Sequence, residues 1–187
     1  GSGGEEGCSV RGGGGGGYGG GGGGFGEECA LGEGGACGGC GAFGGRWSFG
    51  EGCSFGGRCS CGERCSFGEW CSFGERCSFG KCCSFGEWCS FGEGCSFGEW
   101  CSFGEGCSCE FGEFEKLITA GGFGSVGRTT YFFLMNDGSI AVRCGCFSGT
   151  LEQWEQKVKE HHGDSAIGKA YLLLIPAVKT MFEEDGK

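Results

Sequence analysis

With a single proline, no Gly-X-Y triplet period and no long serine or glutamine tract, this 187-residue chain is neither collagen-like nor plain low-complexity sequence, although 50 of its residues are glycine. No apolar run reaches the roughly 20 residues needed to cross a bilayer, and no secretory signal is read in the sequence, so a soluble chain is expected. It opens on Gly1 and not on Met, so its start is expected to be trimmed or incomplete. Basic residues are few: 14 Lys and Arg against 24 Asp and Glu leave a formal charge of −10. That balance disfavours a nucleic-acid backbone or anionic lipid as partner. Histidine is scarcer still, with His161 and His162 the two in the chain.

What fills the sequence is a repeat. From Phe25 to Gly104 a bulky apolar residue or cysteine stands immediately before a glycine every six residues, fourteen times in succession. Between Cys53 and Gly106 the unit sharpens to Cys-Ser-Phe-Gly-Glu-x, and a short strict period means one small unit stacked on copies of itself. Side chains of an extended segment alternate faces, so Cys and Phe at positions one and three point inward while Ser and Gly take the opposite parity. The glycine after each Phe is expected to supply the permissive backbone of a corner.

These readings give a mainly β fold: a parallel β-solenoid of hexapeptide repeats, with about 18, alternatively 12, residues per coil, and a continuous interior column of Phe. Burial at roughly 2 kcal/mol per ring outweighs the carboxylate ladders that either coil length creates. Those ladders run through Glu69, Glu87 and Glu105 at one spacing and Glu75, Glu87 and Glu99 at the other. Such ladders are expected to be solvated, with Lys81 interrupting one of them in either register and Arg58, Arg64 and Arg76 giving partial counter-charge.

Nineteen cysteines would suggest a disulfide scaffold in a short secreted chain. The number is odd and most follow the repeat, so they are expected to be mostly reduced packing thiols, with disulfides between stacked coils as the alternative.

Composition divides the chain in three. Residues 1–22 are a Gly-rich flexible segment with little to pack. Residues 23–112 are the solenoid, whose first hexads up to Arg46 look like an eroded entry. Residues 113–187 are an α+β module of ββαα or βββαα order. There, Arg128 to Met135 reads as a strand, Asn136-Asp137-Gly138 as a hairpin turn and Ser139 to Phe147 as the returning strand, with Phe114 to Thr119 as a third. Thr150 and Gln153 form a capping box for a helix from about Leu151 to His161 that Gly163 ends. Asp164 or Ser165 starts a second helix, from about Ala166 to Glu184, which Pro176 is expected to kink or divide.

Candidate sites are sparse, and no catalytic residue is assigned. Cys144 and Cys146, expected on one face of a strand, combine with His161, His162 and Asp164 into a weak zinc-ligand set; packing of those cysteines in the core is the favoured reading, so no metal or cofactor is assigned. Trp70, Trp88 and Trp100 fill the variable sixth position and are either an outward binding patch or a cover for the coil edges.

Rewritten as Phe-Gly-Glu-x-Cys-Ser, the unit resembles the left-handed parallel β-helix hexapeptide family, with Phe in place of its aliphatic residue. Many members of that family are acyltransferases that rely on a catalytic histidine, and this repeat has none. The array from Cys53 to Cys107, followed by Thr130-Tyr131-Phe132-Phe133, Arg143-Cys144-Gly145-Cys146-Phe147, Gly149-Thr150-Leu151 and the stretch from Lys157 to Asp164, is similar to a group of bacteriophage proteins, often from gut phages. That resemblance implies a viral origin and no activity. The expectation is a non-enzymatic structural or attachment component of a virion or extracellular surface, found otherwise in host cytoplasm during assembly. Its partners would be other virion or surface proteins and copies of itself, a trimer included, without nucleic acid or membrane insertion. The alternative is a binding module that recognises a host protein or glycan through the solenoid face or the C-terminal domain.

Overall fold

The computed structural model describes residues 8–10, 17–18, 24–25, 29–31, 36–37, 41–123 and 127–184. The chain divides into two compact units, Gly1–Gly112 and Glu113–Lys187.

The first unit contains a parallel β-solenoid of about four turns. Each hexad contributes a two-residue strand, and strands 18 residues apart pair in parallel, Ser66 opposite Ser84 and Phe67 opposite Phe85. Three strand columns result, through Phe49, Phe67 and Phe85, through Phe55, Phe73 and Phe91, and through Phe43, Cys61 and Phe79. The coil therefore has three sides and 18 residues, and the 12-residue alternative is excluded. The hexads that look eroded in sequence keep this register: Phe25 pairs with Phe43, Leu31 with Phe49 and Cys37 with Phe55. Of the segment expected to be flexible, Cys8–Val10 and Gly17–Tyr18 pair with Cys29–Leu31 and Ala36–Cys37; its other residues lie outside those described.

Phe is stored in three stacks, where the hexad pattern suggests one column. In the first stack Phe49 and Phe67 lie 4.8 Å apart at 2°. In the second, Phe55 and Phe73 lie 4.8 Å apart at 13°. Rings from different stacks meet edge to face, as Phe67 and Phe73 do at 5.0 Å and 89°. Coils repeat at about 4.8 Å, so parallel rings reach van der Waals contact by tilting into an offset stack, the arrangement that the ring quadrupole favours.

The glycine after each Phe does not serve as the corner. A Cβ on Gly68 would stand 2.7 Å from the Glu51 nitrogen and 2.8 Å from the Gly50 carbonyl carbon, both in the turn below. Glycine is required there because two backbones approach, and the corner falls two residues later. Position six adopts a left-handed backbone, with φ of 62° at Arg58, 61° at Trp70 and 57° at Cys82. Each of these residues donates its N–H to the position-five carbonyl of the next turn, Trp70 to Glu87 at 2.9 Å for example. These bonds hold the corners in line.

The second unit has four antiparallel strands, not two or three: Gly112–Phe123, Arg128–Met135, Ile140–Cys144 and Phe147–Thr150. The strand expected from Ser139 to Phe147 is broken because Gly145, at φ 61°, turns the chain back on itself. Two helices follow, α1 (Leu151–His162) and α2 (Ala166–Glu184). The capping box forms as expected, with Gln153 N donating to Thr150 Oγ1 at 3.3 Å and Thr150 N to Gln153 Oε1 at 3.0 Å. Ser165 accepts from the Gly168 N–H at 3.1 Å and caps α2. Pro176 lies inside α2 without dividing it. Phe132 and Val142 from the sheet pack with Leu151, Trp154 and Val158 of α1 and with Tyr171, Val178 and Phe182 of α2. No helix among the described residues is long and apolar enough to cross a membrane.

Candidate functional site

The most site-like feature is a cleft of about 350 Å³ in the second unit, between one end of the sheet and the two helices. Residues at i, i+3, i+4, i+7 and i+8 of a helix share a face. Trp154, Lys157, Val158, His161 and His162 of α1 follow that spacing and line one wall. The opposite wall comes from the sheet: Arg128 at the head of its strand, then Cys144, Cys146 and Phe147 around the Gly145 turn. Tyr171 of α2 completes the lining, edge-on to Trp154 at 5.6 Å and beside the His162 ring at 5.7 Å.

The Gly145 turn positions the guanidinium. A Cβ on Gly145 would overlap Nη1 of Arg128, so the missing side chain is what lets Arg128 lie across the turn. Cys144 is half-buried and accepts a hydrogen bond from Thr130 Oγ1 at 3.2 Å. Burial first, and then the neighbouring Cys144 thiol, raises the Tyr171 phenol above its ordinary value, while Arg128 draws it back down.

Cys144, Cys146, His161 and His162 of the weak zinc set thus line one cleft, and Asp164 does not contribute to its lining. They do not form the set expected from sequence: Cys144 ends a strand and Cys146 stands exposed in the turn after it, so the two thiols do not share a strand face. No group of three or more His, Cys, Asp or Glu side chains among the described residues is arranged to hold a metal ion. Sequence reasoning missed Arg128, Lys157 and Tyr171. The signal for Lys157 lies in its spacing from Trp154 and His161, whereas Arg128 reaches the cleft through strand pairing that no local pattern announces.

The three tryptophans do not form one patch. Trp70 and Trp88 occupy the same corner one turn apart and stack at 5.6 Å and 12°. Trp88 also covers the glycine of the next turn, since a Cβ on Gly106 would meet its ring carbon at 2.6 Å. Trp100 stands one turn after Cys82 on a different corner and is 83% exposed.

The repeat cysteines carry a regular interaction of their own. Position-one thiols donate to the position-four carbonyl 21 residues earlier, as the buried Cys71 does to Gly50 at 3.4 Å, Cys83 to Gly62 at 3.3 Å and Cys89 to Gly68 at 3.3 Å. The cysteines from Cys53 to Cys146 are all free thiols. Burial pushes the Cys61 thiol far above the ordinary range, with neighbouring thiols adding to the shift. Cys82 and Cys146 are the exposed ones among the cysteines from Cys53 to Cys146.

Comparison with protein-family models, with curated proteins and with solved structures returned no match.

Proposed function

We propose that this chain is a non-enzymatic structural or attachment component of a phage virion, in which the solenoid acts as a stiff spacer and the C-terminal unit docks to other virion or surface proteins or to copies of itself. One observation carries this reading: the aromatic stack through Phe49, Phe67, Phe85 and Phe103 runs unbroken from turn to turn, and each turn is tied to the next by a repeating backbone ladder. Stability in such a stack is a sum over neighbouring turns, which suits a rod that transmits position and load. The hexad's resemblance to left-handed β-helix proteins and the array's resemblance to phage proteins supply the setting. Mass spectrometry of purified particles of the encoding phage tests the proposal. The chain is expected at a fixed stoichiometry in intact particles, and its absence from particles, with the protein present in the infected-cell lysate, counts against it.

The second reading, a binding module, draws on the cleft of the C-terminal unit. It differs from the first in requiring a saturable ligand.

A further inference from the structure

We propose that the cleft between α1 and the Gly145 turn binds a small organic anion, a carboxylate or phosphate group carried on a flat apolar body. The inference rests on the binding-module reading and is independent of the spacer role, which particle composition tests. Arg128, Lys157, His161 and His162 all line the cleft, and no Asp or Glu among the described residues does. In a chain of formal charge −10 this is a local excess of the opposite sign. Among the described residues neither Arg128 nor Lys157 makes an ion pair, whereas Lys81 and Lys159 do, with Glu99 and Glu155.

Cations at the end of α1 have an ordinary role, since they face the negative end of the helix dipole. Arg128 does not share that explanation. It comes from a strand, and the glycine at position 145 leaves room for its guanidinium to lie across the turn. Its planar fork suits bidentate capture of a carboxylate or phosphate. The remaining wall is apolar and aromatic, made by Phe147, Trp154 and Val158 with Tyr171. Small-ligand sites commonly set a few convergent polar groups on an apolar lining, and a volume of about 350 Å³ suits a ligand of modest size. Cation and ring together favour an anion attached to an aromatic or similarly flat body.

The test uses the full chain and 2-naphthoate as probe, with 2-naphthalenemethanol as the neutral isostere and acetate as the bare head group. Because His161 and His162 are the two histidines in the sequence, their imidazole NMR signals report on the cleft without assignment of the whole protein. Naphthoate is expected to shift both imidazole signals saturably and to bind at least about tenfold more tightly than either control, a gap of the size one charge-assisted hydrogen bond supplies. Arg128→Gln is expected to weaken naphthoate by about tenfold and to leave 2-naphthalenemethanol unchanged. Should Arg128→Gln fail to fold, Lys157→Gln, an exposed position on α1, takes its place with the same expected selectivity. Absence of saturation, equal binding of the neutral isostere, or variants that bind naphthoate as the wild type does would each overturn the proposal.

Discussion

The rings of Phe67 and Phe85 lie 4.9 Å apart and within 3° of parallel, although 18 residues separate them in the chain. This pair is the unit from which the solenoid is made: one turn of backbone brings a ring over its equivalent, and rings of the other two stacks close around it edge-on. Phe73 has the same surroundings, stacked on Phe91 at 5.1 Å and edge-on to Phe79 at 4.9 Å. Phe73→Ala is expected to cost about 3–5 kcal/mol, the range for emptying a well-packed aromatic site. Urea denaturation followed by far-ultraviolet circular dichroism measures it, and a loss below about 1 kcal/mol would mean that the interior is not packed as described.

Glycines at two positions of the hexad have different roles, and substitution separates them. Gly68→Ala places a methyl group against the backbone of the turn below, where no flexible side chain can give way, and is expected to cost about 2–3 kcal/mol through overpacking. Gly52→Ala meets nothing within 4 Å but must hold φ at 66°, and is expected to cost about 1 kcal/mol from the left-handed backbone alone. Equal losses at the two sites would contradict the assignment.

The converse holds where a side chain already occupies the strained corner. Arg58 has φ 62° and an exposed side chain. Arg58→Gly is expected to raise stability by roughly 1 kcal/mol by relieving the left-handed conformation. A rise in the midpoint of thermal unfolding checks this, and a fall would show that the Arg58 side chain contributes more than its backbone costs.

The Cys83 thiol makes a contribution to stability that depends on alkaline pH. Cys83 is pushed up to about 11 from an ordinary 9.0, first by the neighbouring Cys101 thiol and then by burial, while Cys65 draws it back; the same contact lowers Cys101. A group whose folded value is raised holds its proton more tightly in the folded state. Its contribution is complete below 9.0 and is lost as pH rises from there towards about 11. The Cys83 contribution, read as the difference in urea midpoint between wild type and Cys83→Ala under reducing, anaerobic conditions, is expected to be constant below 9.0 and to shrink across that window. A difference that stayed constant across the window would remove the thiol from the account.

Accessibility gives a further check on the thiols. Among the cysteines from Cys53 to Cys146, Cys82 and Cys146 are exposed while Cys53, Cys71 and Cys89 are buried. Brief maleimide treatment of native protein, followed by peptide mass spectrometry, is expected to modify Cys82 and Cys146 first. Complete modification of the cysteines from Cys53 to Cys146 without prior reduction, once the protein is denatured, is expected because these are free thiols.

The six-residue period makes the solenoid legible, since alternation along Cys-Ser-Phe puts Cys and Phe on the same side whatever the coil length. Coil length itself is not legible, because six divides both 12 and 18 and the choice depends on how rings pack across the interior. The role of the glycines is hidden for a related reason: a close approach such as that of Gly68 to Glu51 joins residues a full turn apart, and only the turn spacing reveals it. Cysteine reads as a small apolar filler, and its hydrogen bond to a glycine carbonyl 21 residues away has no local signature. In the second unit the caps at Thr150 and Ser165 are readable because they act within three residues. The break at Gly145 is not, since nothing in the flanking residues Cys144 and Phe147 interrupts the pattern of one continuous strand. The cleft follows the same division, with the α1 wall written in helical spacing and Arg128 supplied by strand register.

A density map of the full chain shows directly whether the rings stack turn on turn at 18-residue spacing. Side-chain density for Phe67 is expected over Phe85 and that for Phe73 over Phe91, with a rise of about 4.8 Å per turn. Density that instead placed Phe67 over Phe79, the partner that a 12-residue coil would give it, or that showed no ordered stack between residues 41 and 109, would contradict that stacking.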